Sequence, residues 1–436
     1  MPAAPADSAL YRALFSDDET AALFTDSAEI RAMLLVEGAL ARVQGRLGMI
    51  PETAAAFIDR ASREVQIDPA ALAAETAVSG VPVPALITAF RKAMQAPEHA
   101  QYLHWGATSQ DIMETAQNLR LRRVVQLWQG RLSALVQALG RLAAGHAELP
   151  MAARTYGQLA TPTSFGAVVA GWGQPLLHHR ARLAALAPDL AMVSLGGAAG
   201  TLAAMGPEGP AVRAALAAEL GLSDPGHSWH SGRDGIAAFA GWMAGLCASL
   251  GKFGEDLVLM CQSGIDEIRI GGAGGSSTMP QKQNPVGPSV LVALARQVAG
   301  LSAVMQGAAL HRQQRDGAAW FTEWLSLPQL CISTGRALAL AQDVAQRITP
   351  QPAAMARNLD DGSGVIHAEA ISFALARRMP RPEAQATVKA LCARTAPGGP
   401  SLADLVAAEF PGLALPGTTL GTSPDEARAF ADAAQG

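Results

Sequence analysis

Between about residue 110 and residue 348 the sequence reads as five long helical stretches, at about 110–147, 164–187, 231–263, 286–315 and 321–348. At 1.5 Å rise per residue the first would be roughly 50 Å long, more than one globular core requires. Helices of that length stabilise one another side by side, which predicts a central bundle. No convincing run of alternating β-branched residues occurs anywhere, so the expected fold class is all-α.

The flanks read differently. Residues 27–47 place Ile30, Met33, Leu34, Leu40, Val43 and Leu47 on one helical stripe, with Asp26 and Glu29 as a capping pair and Gly48 and Pro51 as a stop. Shorter helical patterns continue to about residue 98. After Pro350 the composition loosens into short helices around 367–379 and 383–394 and a Pro/Gly-rich tail. The expected organisation is an N-terminal helical domain (1–103), a central long-helix bundle (104–350) and a small C-terminal helical domain (351–436). No internal repeat is visible, which disfavours a solenoid.

Charged residues make up only 16% of the 436 residues and hydrophobic ones 50%, against a usual charged share of about 25%. That is too little charge to dress a monomer, and it predicts burial in an oligomer. Lys+Arg 33 against Asp+Glu 37 gives a net charge of -4 with no basic tract, so nucleic acid is not an expected partner. Cys247, Cys261, Cys331 and Cys392 form no CxxC pair, and His146, His178 and His179 lack metal-ligand spacing, so neither a disulfide framework nor a metal is expected. The uncharged runs after Arg154 and from Gly235 to Gly251 read as core helices; the first contains Pro162, Pro175, Gln158 and Gln174, which a membrane would leave unpaired. The first fifteen residues lack a basic region followed by an apolar one, and a cytoplasmic protein is expected.

The most unusual segment is GGAGGSSTMPQKQNP, 271–285. Its glycines free the backbone, while Ser276, Ser277, Lys282 and Asn284 add hydroxyl, cation and amide groups that suit an anion. A plain linker would explain the glycines but not a Lys and an Asn between Pro280 and Pro285.

The string GSSTMPQKQNP resembles the signature of the fumarase/aspartase superfamily. HWGATSQDIMET (104–115) resembles its first shared region and ARTYGQLATPTSFG (153–166) its second. The resemblance implies a three-domain fold with a central helix bundle, a homotetramer whose active sites are shared between subunits, and no cofactor. It also implies a chemistry in which a proton moves at the carbon α to a carboxylate while a group joins or leaves the β carbon, through an aci-carboxylate. By resemblance Ser276 is the proton-transfer group, and Lys282 and Asn284 stabilise the charge. Substrate contacts carried over in the same way are His104, Thr108, Ser109 and Gln110; Arg154, Thr155 and Gln158; His230 and Arg233 in SWHSGRD; Ser277 and Met279 in the loop; and Arg315.

Within the superfamily, SLGGAAGTLAAMG, SWHSGRD, LGKFGEDL and WFTEW are similar to the branch that lactonises a muconate tricarboxylate, with departures at Gly232, Gln281 and Gln283. Tyr156 stands where the fumarases and the adenylosuccinate and argininosuccinate lyases carry a histidine that assists the leaving group. A carboxylate, with a pKa near 4, attacks or leaves without such help. The expected partner is therefore a small tricarboxylate. The alternatives are an adenylosuccinate-type lyase, which Tyr156 argues against, and a non-catalytic oligomer of the same fold, which the intact loop argues against. His104, Arg154 and Arg233 are equally readable as buried hydrogen-bonding partners, Ser109 and Gln110 as helix caps, and Trp320 with Trp324 as core.

Overall fold

The computed structural model describes residues 4–272, 274–275, 279, 282–395, 398–415 and 417–436. Most are helical. The elements that position the site are α1 (Asp26–Arg46), α2 (Ser109–Gly145), α3 (Phe165–Leu186), α4 (Asp234–Met260), α5 (Val286–Ala308) and α6 (Gly317–Ala345). The last five fall where long helices were expected, with trimmed ends. α5 stops short of residue 315 because Asp316 organises a loop there: its carboxylate accepts from the Arg312 amide at 3.1 Å and from the Ala318 and Ala319 amides at the start of α6. In α1 the cap is Thr25, whose hydroxyl accepts from the Ala28 amide, and not the Asp26 and Glu29 pair. Leu47 leaves the buried stripe and is 40% exposed, since Gly48 at φ +72° turns the chain away.

Two compact units are present. One comprises Met1–Arg131, His179–Ala248 and Leu294–Ala339, the other Leu132–His178, Ser249–Ala293 and Leu340–Gly436. In the first, α1 packs on the helix Glu52–Glu64 through Gly38 and Gly45, where a Cβ would collide with Ser62 and Ala55. Met33, Leu34, Leu40 and Val43 of α1 join Ile58, Leu86, Phe90 and Ile112 in a fully buried cluster. A second cluster stacks Trp128 on Phe239 and Trp242, ring centroids 5.8 and 6.0 Å away. Trp320 is buried and Trp324 packs edge-on against it, so this pair belongs to the core.

In the second unit the C-terminal helix Ser423–Ala433 docks where α2 and α3 are bare of side chains: a Cβ at Gly173 would land inside the Phe430 ring, and one at Gly140 would meet Ala434. A small separate core gathers Ile371, Leu375, Val388, Leu391, Leu402 and Val406. This unit also contains what the sequence reading omitted, short antiparallel pairs. β1 (Pro150–Thr155) pairs with β2 (Gln158–Ser164), Ile268–Ile270 with Ile348–Pro350, and Gly274–Gly275 with Gln283–Asn284. The β-branched residues of the β1–β2 hairpin are Thr155, Thr161 and Thr163, with Pro162 between the last two, too short an alternation to betray a strand; its turn has Tyr156 at φ +53° and Gly157 at φ +73°. α4 and α5 are long and apolar enough to cross a membrane by length and composition, a test that a core helix also passes. α4 buries Phe239, Met243, Leu246, Leu250, Phe253 and Leu257 within the protein.

Candidate active site

In the first unit the site residues are gathered around Asp111, in the first turn of α2. Its fully buried carboxylate accepts from the Thr108 and Gly197 amides at 3.0 and 2.9 Å and from the Gly196 amide at 2.8 Å, and pairs with His230 Nε2 at 2.7 Å. The glycines of SLGGAAG permit this approach: a Cβ on Gly196 would meet Ser228 Oγ at 2.7 Å, and Gly197 has φ +68°. Gln110 was a candidate cap, but the start of α2 is held by Asp111. Gln110 instead reaches inward, donating to Glu114 at 2.8 Å and to the His230 carbonyl at 2.9 Å. Its Oε1 accepts from Arg315 Nε at 2.6 Å, and Arg315 Nη2 also donates to the Ala198 carbonyl. Thr108, Gln110, His230 and Arg315 are thus tied together, with Ser109 half-buried beside them.

Arg233 lies deeper. Its Nη1 donates to Glu114 at 2.6 Å, its Nε and Nη2 to the two oxygens of Glu323 at 2.8 and 2.6 Å, and its guanidinium lies 5.1 Å from the Trp229 ring centroid. With 1% of the side chain exposed, every guanidinium nitrogen is committed to a carboxylate. Burial would lower the Arg233 pKa, but the two carboxylates hold it well above the usual value. Burial pushes Glu114 up despite Arg233. Glu323 is also raised by burial, but His311, 3.6 Å away, and Arg233 outweigh that and bring it down. Glu114 and Glu323 line a cavity of about 510 Å³ whose other walls include Met33, Met113, Trp320 and Trp324. His104, Thr108 and Ser109 are not among its lining residues.

In the second unit the β1–β2 hairpin carries Arg154, Thr155 and Gln158. Arg154 donates with both terminal nitrogens to the two oxygens of buried Glu267, each at 2.8 Å, and Asn358 supports the same carboxylate at 3.2 Å. Thr155 and Gln158 are exposed on either side of the turn, and Tyr156 at its tip is fully exposed. On the glycine-rich loop, Gly274 pairs with Asn284 and Gly275 with Gln283, and the Lys282 amide donates to the Met279 carbonyl at 3.0 Å. The Lys282 side chain is exposed. Ser276 and Ser277 lie outside the described residues.

Sequence reasoning missed the carboxylates that organise both groups, Asp111, Glu114, Glu267 and Glu323, and also Glu37, whose Oε1 lies 2.6 Å from His104 Nδ1. Spacing alone hid them on α2, because Gln110, Asp111, Glu114 and Thr115 share one arc of the helix and read as a solvated face, whereas residues 110–116 are continuously buried. Charges in such a segment have to be paired internally.

The chain matches a family model described as "Lyase" over residues 9–300. It is 40% identical over 390 residues to the 3-carboxy-cis,cis-muconate cycloisomerase of Pseudomonas aeruginosa, covering 88% of this chain and 85% of that one. It is 36% identical to a nitrosuccinate lyase of Streptomyces davaonensis, covering 93% and 88% respectively. The crystal structure of 3-carboxy-cis,cis-muconate lactonizing enzyme from Pseudomonas putida superposes with a TM-score of 0.92 at 35% identity, covering 98% of this chain and 99% of that one.

Proposed function

The chain belongs to the fumarase/aspartase family of lyases, and from that premise we propose that it is a cytoplasmic, homotetrameric cycloisomerase converting 3-carboxy-cis,cis-muconate to 4-carboxymuconolactone. An oxygen of the C6 carboxylate bonds to C3. The C2–C3 π pair moves toward C1, giving an aci-carboxylate, and C2 then takes a proton, so product and substrate are isomers. Ser276 delivers that proton, and Lys282 and Asn284 hold the charge that develops on the C1 carboxylate. Ring closure is intramolecular and needs orientation more than activation; His104, Thr108, Ser109, Gln110 and Arg315 supply it, with Thr155, Gln158, Ser277 and Met279 completing the contacts. Arg154, His230 and Arg233 act by holding Glu267, Asp111 and the Glu114–Glu323 pair in place.

The observation that carries this reading is Tyr156, exposed at the tip of the hairpin, where the hydratases and amine lyases of the family need a histidine. A carboxylate nucleophile does without one. The tetramer is supported by the low charge content and by Leu259, Val304 and Leu325, exposed apolar side chains on α4, α5 and α6. The likeness to nitrosuccinate lyase motivates a second reading, because nitrite, a weak base, also leaves without proton assistance. One assay separates the two. Loss of the conjugated-diene absorbance of 3-carboxy-cis,cis-muconate in deuterium oxide, with one deuterium at C2 of the product, is expected; nitrite release from nitrosuccinate with the diene untouched would overturn the cycloisomerase reading.

A further inference from the structure

His104 has φ +63°, in the left-handed region, which costs a non-glycine residue about 1–2 kcal/mol. Gly106 follows at φ +74°. The turn they form is held from α1: Gln44 Nε2 donates to the Trp105 carbonyl at 2.7 Å, and Glu37 Oε1 lies 2.6 Å from His104 Nδ1. Glu37 and Gln44 are two helical turns apart and share a face. Arg91 donates to the Leu103 carbonyl at 3.2 Å and fixes the other end.

Gln44 shows that a neutral amide suffices to hold this turn. A carboxylate at residue 37 is the expensive choice, because its side chain has 0% exposure and its Oε2 has no hydrogen-bond partner. Such a group is tolerated beside a cation, and its partner is the one side chain there that can become one. The charged groups acting on His104 are Glu37 and Asp111, both negative, and Arg91, positive. Burial lowers the imidazole pKa, but Glu37, through charge and hydrogen bond, and then Asp111 outweigh burial and Arg91, so the histidine is raised above its ordinary value. With Nδ1 committed to Glu37, Nε2 is left without a hydrogen bond among the described residues, on a side chain 19% exposed.

We propose that Glu37 is a positioning residue that fixes the ring of His104 and keeps it cationic, so that its Nε2–H is a charged donor to a substrate carboxylate. The proposal rests on the reading above that His104 faces substrate, and it adds the residue that makes the contact ionic.

The experiment uses the full-length assembled enzyme and follows exchange of the histidine C2 protons by mass spectrometry against pH, which reports the pKa of each histidine without substrate. The His104 pKa should exceed the ordinary value of about 6.5 in the wild type and fall by about one unit or more in Glu37→Gln. With 3-carboxy-cis,cis-muconate, Glu37→Gln should lower kcat/KM about tenfold above neutral pH and move the alkaline limb of its pH profile down in step with His104. Glu37→Asp, which keeps the charge, should restore part of both and serves as the readable variant if Glu37→Gln does not assemble. An unchanged His104 pKa in the variants overturns the proposal, as does a shifted pKa with an unmoved alkaline limb. If the wild type turns over no muconate yet the pKa shift is found, the functional reading fails and the charge assignment to Glu37 stands.

Discussion

Replacing Arg233 with Met removes the guanidinium between Glu114 and Glu323, keeps an unbranched but shorter side chain, and leaves two carboxylates in a dry site. Glu323 retains His311 at 3.6 Å, whereas Glu114 retains Gln110 and no contacting cation. Glu114 is therefore the group that takes up a proton. Holding one carboxyl neutral at pH 7 against an unfolded pKa of about 4.3 costs about 1.4 kcal/mol for each of roughly 2.7 pH units, or at most about 4 kcal/mol, less the part the wild type already bears through its raised Glu114. That ceiling lies within the roughly 3–5 kcal/mol typical of breaking a buried ion pair. The sign follows from the direction of the shift: a carboxyl whose folded pKa is raised stabilises the fold below its unfolded pKa, and that contribution is lost as pH rises toward the folded pKa. Because burial already raises Glu114 in the wild type, the deficit of Arg233→Met should be small near pH 5 and grow only once wild-type Glu114 ionises, by at most about 1.4 kcal/mol per pH unit up to pH 7. Urea unfolding followed by circular dichroism, at one fixed subunit concentration because assembly contributes to stability, measures it. Adding Glu114→Gln should recover most of the loss. A deficit that is flat with pH, or that Glu114→Gln fails to reduce, would refute the reasoning.

Three other outcomes are expected. Lys282→Met should lower muconate turnover by on the order of a hundredfold with little change in melting temperature, as loss of an oxyanion donor does; normal turnover with a lowered melting temperature would make Lys282 structural. Ser276→Ala should abolish lactonisation while Tyr156→Phe keeps much of it, and the reverse result in folded protein would exchange the two roles. Gly173→Ala puts a methyl group into the Phe430 ring and should destabilise by about 1–3 kcal/mol, read as a lower melting temperature that Phe430→Leu partly restores.

The long helices were legible because their pattern depends on nothing outside them. What escaped was set by contacts remote in the chain. The hairpin at 150–164 is made by a Tyr-Gly turn with both residues at positive φ, and its β-branched residues, Thr155, Thr161 and Thr163, are too few and too interrupted by Pro162 to read as a strand. The end of α5 is decided by Asp316, eight residues past it. The motif strings contain Thr108, Gln110, His230 and Arg315, which hydrogen bonds bring together, yet Asp111, which binds Thr108 and His230 directly, sits inside the same string and reads as an ordinary first-turn acid. Glu37 and Glu267 come from segments with no motif, and only tertiary structure joins them to His104 and Arg154.

Those carboxylates change which cations are left for a substrate with three negative charges. Arg154 and Arg233, both expected as donors, have their nitrogens bound to Glu267 and to Glu114 with Glu323. Moving either guanidinium to a ligand would abandon a buried carboxylate, a cost of several kcal/mol that one new surface ion pair does not offset. Lys282 and Arg315 are exposed, and His104 offers its free Nε2. In the proposed reaction these three, supplied by whichever subunits share a site, match the three carboxylates of the substrate one for one. The match holds only while His104 is protonated, which makes the buried acid on α1 part of the charge balance of the site.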